Sequence, residues 1–299
     1  MRIVITGASG FVGQNLVTFL EANGTKADAL SLRDSNWKQK IDPNAAAIIH
    51  LAGKAHDTSN TSAEEEYFKV NRDLTIQLFD LFLESDVRDF FYFSSVKAVA
   101  DFVENTLYED ANPSPKTPYG KSKLEAEKYL LSKEIPTGKR LFIIRPCMIH
   151  GPGNKGNLNL LYKIVKKGIP WPLADFENKR SFLSISNLNY LIHKILMDIN
   201  VTSGVYNFAD DRAISTNELI TIISQQLGKK TVLLRLPSGI IRSLAKVGDI
   251  LPLPLNTERL TKLTENYVVS NNKIKEELNV QSLPMSAEDG LRLTIDSFT

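Results

Sequence analysis

Arg2-Ile3-Val4-Ile5-Thr6-Gly7-Ala8-Ser9-Gly10-Phe11-Val12-Gly13 runs from a β-branched apolar stretch through three evenly spaced glycines into a helical pattern, Phe11–Ala22. Strand, tight turn and helix in this order make an anion site. Without side chains, Gly7 and Gly10 let the backbone turn sharply and approach a pyrophosphate, and Gly13 lets the helix pack close to the strand. The helix N-terminus, carrying Ser9, Phe11 and Val12, then offers free N–H groups and the positive end of its dipole. A glycine triplet on its own would as readily punctuate a loop, so its context has to carry the reading.

That context is an alternation of strands and helices. Apolar runs at Ala27–Leu32, Ala47–Leu51, Asp89–Ser94 and Leu141–Arg145 are separated by Ala63–Ser85 and Tyr119–Lys133, whose apolar residues recur at three and four. Such a rhythm predicts an α/β protein with a Rossmann-type doubly wound parallel sheet. After Gly151-Pro152-Gly153 the rhythm weakens and Asn, Lys and Pro increase. Residues 1–152 therefore read as the dinucleotide-binding domain, rejoined by about 181–210 through the strand pattern Gly204–Ala209. Residues 153–180 and 211–299 read as a smaller substrate domain.

Composition excludes more than it assigns. Of 299 residues, 36 are Lys or Arg and 34 Asp or Glu, interspersed along the chain, so no broad positive field exists to hold a nucleic acid. Cys147 is the single cysteine, which excludes an internal disulfide and a cysteine metal cluster and suits the cytoplasm. Met1-Arg2 leads directly into the first strand without a signal-peptide pattern. No span is expected either, because Arg242, Lys246 and Asp249 interrupt the most apolar stretch, Ile240–Leu255. That stretch would pack into the core, cover a pocket or meet a membrane-bound partner.

About twenty residues beyond the glycines, a polar side chain is expected to read the adenosine ribose. Arg33 and Asp34 stand there. An acid would bond the ribose hydroxyls of NAD, whereas an arginine fork would pair with the extra phosphate of NADP. Arg33 tilts the reading towards NADP.

Thr117-Pro118-Tyr119-Gly120-Lys121-Ser122-Lys123 sets Tyr119 and Lys123 on one face of a helix start. A free phenol loses its proton near pH ~10, and a neighbouring ammonium would favour the phenolate. Tyr119 then becomes a candidate general acid/base. Phe91-Tyr92-Phe93-Ser94-Ser95 is an apolar strand ending in hydroxyls. Its carboxyl end is the edge where open α/β sheets place ligands.

Together these residues resemble the extended short-chain dehydrogenase/reductases of the NAD(P)-dependent nucleotide-sugar epimerase/dehydratase family, over nearly the whole chain. Gly7, Gly10 and Gly13 match the glycine motif, Tyr119 and Lys123 the YxxxK, and Ser95 the catalytic hydroxyl. Leu51-Ala52-Gly53 resembles the loop beside the cofactor, and Asn71 the asparagine of the active-site network. Arg145-Pro146 and Ile149-His150-Gly151-Pro152-Gly153 resemble RPxxVYGPG, with Pro146 implied beside the cofactor and His150, where tyrosine is usual, read as structural. Arg180 in Lys179-Arg180-Ser181 matches the arginine that binds a nucleotide diphosphate, and Asn157 borders the same pocket.

The resemblance implies hydride transfer at C4 of a nucleotide-diphosphate sugar, with Tyr119 moving the hydroxyl proton and Ser95 steadying the oxygen. Related dehydratases carry Asp-Glu after the catalytic hydroxyl, where this chain has Val96-Lys97. Dehydration is therefore disfavoured. A 4-epimerase of surface-polysaccharide synthesis is the leading expectation, and an NADPH-dependent 4-keto reductase the alternative. A non-catalytic cofactor sensor would not need Ser95, Tyr119 and Lys123. The resemblance also implies a homodimer through Ala63–Ser85 and Tyr119–Lys133.

Overall fold

A computed structural model describes residues 1–54, 63–154, 158–251 and 255–298. The chain runs through β1 (Arg2–Thr6), α1 (Phe11–Ala22), β2 (Lys26–Leu30), β3 (Ala47–His50), α2 (Glu64–Phe68), α3 (Leu74–Glu84), β4 (Asp89–Phe93), β5 (Thr106–Leu107), α4 (Pro118–Leu131) and β6 (Arg140–Pro146). It continues through β7 (Met148–His150), α5 (Leu158–Lys166), β8 (Phe182–Ser184), α6 (Ile185–Met197), β9 (Gly204–Phe208) and α7 (Thr216–Gln226). The last elements are α8 (Ser238–Ile250), α9 (Thr257–Thr264), β10 (Val268–Val269), α10 (Asn272–Glu277) and α11 (Ala287–Asp296).

Six strands form one parallel sheet in the order β2-β1-β3-β4-β6-β9. Ile3, Ile5, Ile49, Phe91, Phe93 and Phe142 point to one face, under α1 and α6. Val4, Ile48, Phe90, Tyr92, Leu141 and Ile143 point to the other, under α3 and α4. Burial on both faces is why these strands read as continuous apolar runs. The chain leaves β1 in one direction for β2 and in the other for β3, so the topological switch point lies between β1 and β3.

Two expected boundaries shift for local reasons. The Ala27–Leu32 run ends as a strand at Leu30, because Asp34 N–H donates to Ser31 C=O at 3.3 Å and turns the chain. The expected helix Ala63–Ser85 is interrupted by a π-turn at Lys69–Asp73. There the Thr75 hydroxyl donates to the Asn71 carbonyl at 2.8 Å. Thr117 caps α4 by accepting from Gly120 N–H, and Pro118 occupies the first turn, where its missing N–H costs nothing.

Beyond β6, a second apolar cluster draws on α5, α7, α8, α9 and α11, while Gly204–Phe208 extends the main sheet by pairing with β6. His150 is fully buried and bonds Thr294 at 2.8 Å, tying β7 to α11. Ile240–Leu255 does not pack wholly into this core. Ile241 and Ala245 are buried, but Ile240, Leu244, Val247, Ile250 and Leu251 face outward. Helical spacing marks an apolar stripe without saying which way it points.

A buried relay joins the strand ends. His50 Nδ1 lies 2.7 Å from Thr6 Oγ1, and Nε2 lies 2.9 Å from Thr75 Oγ1. Since the Thr75 proton goes to Asn71 C=O, Nε2–H is the donor to Thr75 and Nδ1 accepts from Thr6. Burial, helped by Lys123, lowers His50 from 6.5 to about 3. Below the unfolded value the unfolded chain takes up a proton that the folded one refuses, so stability falls as pH drops from about 6.5 towards about 3. Denaturant titrations should show a loss of about 2 kcal/mol from this group between pH 7 and pH 5. His50→Gln should remove that part of the pH dependence.

Candidate active site

At the switch point, three backbones meet within contact distance. Gly7 has φ +72°, and a Cβ on it would lie 2.6 Å from Ala52 N and 2.8 Å from Leu51 C. A Cβ on Gly13 would lie 2.3 Å from Gly7 O. These two glycines thus hold the turn against the β3 loop and α1 against the turn. Gly10 is different: its nearest neighbour would be Gly7 O at 3.4 Å, so the space over it is open. Ser9 and Gly10 are exposed, and Phe11 and Val12 are partly so.

This turn fits an anionic dinucleotide. Gly10 caps α1 without a side chain, and no carboxylate stands in the first turn, so the free N–H groups face an approaching anion. Arg33 lies exposed just past the carboxyl end of β2, next to β1. Asp34 is held by Lys40 Nζ at 2.7 Å.

The chemistry gathers at the ends of β4 and α4. The Ser95 hydroxyl accepts from Lys97 N–H at 3.2 Å and hydrogen-bonds Tyr119. The Ser95 hydroxyl keeps its own proton to donate to the Tyr119 oxygen, the direction that favours the phenolate. Tyr119 is half-buried and meets the Tyr67 ring edge-on, with centroids 6.4 Å apart. Burial raises its phenol above the ordinary value, and the Ser95 hydrogen bond opposes this. Lys123, only 4% exposed, donates to Phe93 C=O at 2.7 Å. Burial lowers its ammonium to about 8, against a raising pull from Glu127.

Glu127 escaped the sequence reading. It lies one turn beyond Lys123 on the same face of α4, buried, with Arg145 Nη2 at 2.6 Å and the Ser94 hydroxyl donating to it. The i, i+4 spacing from Lys123 was the available signal. Asn71 is fully buried and bonded on every side. Its Oδ1 accepts from Lys54 N–H at 2.7 Å, and its Nδ2 donates to Lys54 C=O and Ser122 Oγ, each at 3.1 Å. It pins the β3 loop to α4. A Cβ on Gly53 would lie 3.0 Å from Asn71 Oδ1 and 3.2 Å from Lys123 Nζ, so the three are in contact. Pro146 ends β6 at the same carboxyl edge.

On the far side of Ser95, Lys97 donates to Asp101 C=O at 2.8 Å and lies over the Tyr267 ring at 4.2 Å. Burial lowers its pKa, and Arg180 is close enough to lower it further. Arg180 donates to Lys262 C=O, stands 3.6 Å from Glu265, and keeps its side chain 20% exposed. Two cations therefore flank the loop after Ser95, where the sequence alone marked Lys97 only as a missing acid. Asn157 lies outside the described residues.

A family model described as the NAD dependent epimerase/dehydratase family matches residues 3–209. A UDP-glucose 4-epimerase of Vibrio cholerae is 29% identical over 99% of this chain and 95% of its own. Among solved structures, RMD from Pseudomonas aeruginosa complexed with NADPH superposes at TM-score 0.77 with 20% identity, covering 100% of this chain and 99% of that one. The Thermus thermophilus UDP-glucose 4-epimerase in complex with NAD gives TM-score 0.75 at 21% identity, covering 100% and 99%.

The buried pair makes a pH profile diagnostic. Lys123 is charged below about 8 and neutral above it, so kcat/KM should fall as pH rises through that value. Glu127→Gln removes the carboxylate that supports the ammonium, and the alkaline limb should move to lower pH. By leaving Arg145 buried without its carboxylate, the same change should cost about 3–5 kcal/mol in denaturant unfolding.

Proposed function

The chain belongs to the NAD-dependent epimerase/dehydratase family, and from that premise we propose that it is a 4-epimerase of a nucleotide-diphosphate sugar. One observation carries the proposal: Ser95 after β4 hydrogen-bonds Tyr119, and Lys123, one turn along α4 from Tyr119, bonds Phe93 C=O at the end of β4, beside an open glycine turn. Val96 and Lys97 follow Ser95, which leaves dehydration without the second acid and base it needs. A cofactor sensor would have no use for the three groups.

A nicotinamide dinucleotide held at the glycine turn would supply reversible hydride exchange with C4 of the sugar. Tyr119 takes the C4 hydroxyl proton as C4 is oxidised and gives it back on reduction. Ser95, its oxygen fixed by Lys97 N–H, donates to the C4 oxygen as negative charge develops there. Lys123 lowers the cost of the phenolate, and the low-dielectric surroundings of a buried ammonium enlarge that effect. Asn71 positions the loop between them. Arg180 is the proposed diphosphate ligand because a guanidinium pairs with phosphate through two parallel bonds, and Asn157 is proposed to border the same pocket.

A second reading, NADPH-dependent reduction of a 4-keto sugar, is favoured by Arg33. It is exposed while Asp34 is paired with Lys40, and the similar RMD structure is complexed with NADPH. We further propose residues 1–152 with about 181–210 as the dinucleotide domain and the remainder as the sugar domain. A cytoplasmic homodimer through α3 and α4, serving surface-polysaccharide synthesis, completes the proposal.

Purified protein supplied with UDP- and dTDP-sugars should interconvert C4 stereoisomers without net change at 340 nm. Consumption of NADPH with a 4-keto sugar would select the reductase instead. Tyr119→Phe should reduce turnover by about 10³-fold or more while dinucleotide affinity changes little. Calorimetric titration of Arg33→Ala should show NADP weakened more than NAD.

A further inference from the structure

The second cluster leaves one surface uncovered. Along α8, Ile240, Leu244, Val247 and Leu251 recur at four, three and four positions, which brings them to one stripe at 100° per residue. They are 56%, 50%, 44% and 52% exposed, and Ile250 beside them is 86% exposed. An adjoining face of the helix, Ile241 and Ala245, fills the core. The stripe itself is left about half exposed. In the segment leading into α8, Val232, Leu233, Leu234 and Leu236 are each about two-fifths exposed. Exposed apolar side chains concentrated over 232–251 mark an interaction site.

Charge identifies the partner. Between residues 229 and 251 stand Lys229, Lys230, Arg235, Arg242 and Lys246 against Asp249, and a second carboxylate, Asp175, joins them from outside the segment by accepting from Ser238 N–H at 3.2 Å. Asp249 is itself occupied, accepting from Thr257 N–H at 2.9 Å and from its hydroxyl at the start of α9. Lys246 is exposed on the rim of the stripe. A second copy docking through this same patch by a two-fold axis would bring two net-positive surfaces together. An anionic bilayer takes both the apolar stripe and its basic rim. No helix among the described residues is long and apolar enough to cross a membrane, so contact would be in the interfacial plane.

We propose that α8 and the segment before it form a docking surface for an anionic phospholipid bilayer. The surface is one helix removed from Arg180, whose guanidinium donates to Lys262 C=O in α9. Docking there would bring the sugar-diphosphate side of the molecule close to the headgroups.

Flotation of the full chain with phosphatidylcholine vesicles, with and without phosphatidylglycerol, tests the proposal. The protein should float with the anionic vesicles and lose about tenfold in partition when salt rises from 0.05 to about 0.5 M. Leu244→Glu/Ile250→Glu should abolish flotation while turnover of a soluble nucleotide sugar and the melting temperature stay unchanged. Arg235→Glu/Lys246→Glu, which leaves the apolar stripe intact, should weaken binding to anionic vesicles alone. Failure to float, binding indifferent to lipid charge, or flotation of both variants like the parent would overturn it. So would light scattering in which Leu244→Glu/Ile250→Glu splits an oligomer, since a second copy would then cover the face.

Discussion

The close approach of three backbones at Gly7 is the constraint on which the rest depends. β1, the loop after β3 and the start of α1 converge so tightly that a single added carbon at Gly7 or Gly13 would fall within 2.6 Å of a main-chain atom. Interiors packed at crystal-like density do not absorb such an intrusion without backbone movement. The approach also shapes the turn. With α1 pressed onto it, the helix N-terminus is left without a side-chain cap, and Leu51-Ala52 lie against Gly7.

From that turn the site is assembled by polar contacts in the interior. Asn71 pins Lys54 to Ser122, and Gly53 then touches both Asn71 and Lys123. Lys123 is a buried ammonium, which burial alone would drive towards neutrality. Glu127 counters this from one turn away, and Arg145 holds Glu127 in turn. A chain of alternating charges thus keeps an ammonium on α4 one turn from Tyr119. Its stabilising value is small compared with the cost of removing a member.

Much of the architecture was legible because its determinants are local. β3, β4 and β6 are buried on both faces and so read as unbroken apolar runs, and the glycine turn announces itself by spacing. Tyr119 and Lys123 share a helix face by arithmetic. What stayed hidden depends on partners far apart in sequence. Glu127 gains its meaning from Arg145 on another element, and Lys97 from Arg180. The π-turn at Lys69–Asp73 leaves no mark in the apolar spacing, so periodicity cannot register it. Likewise, the stripe on α8 was visible as a pattern, but only the packed structure says that nothing in the core covers it.

The central claim is that one site removes hydride from C4 and restores it there, with Tyr119 carrying the proton. A nucleotide sugar deuterated at C4, epimerised in ordinary water and analysed by mass spectrometry and proton NMR, tests it most directly. The account predicts that the product keeps its deuterium at C4. Replacement of that label by solvent hydrogen would contradict it.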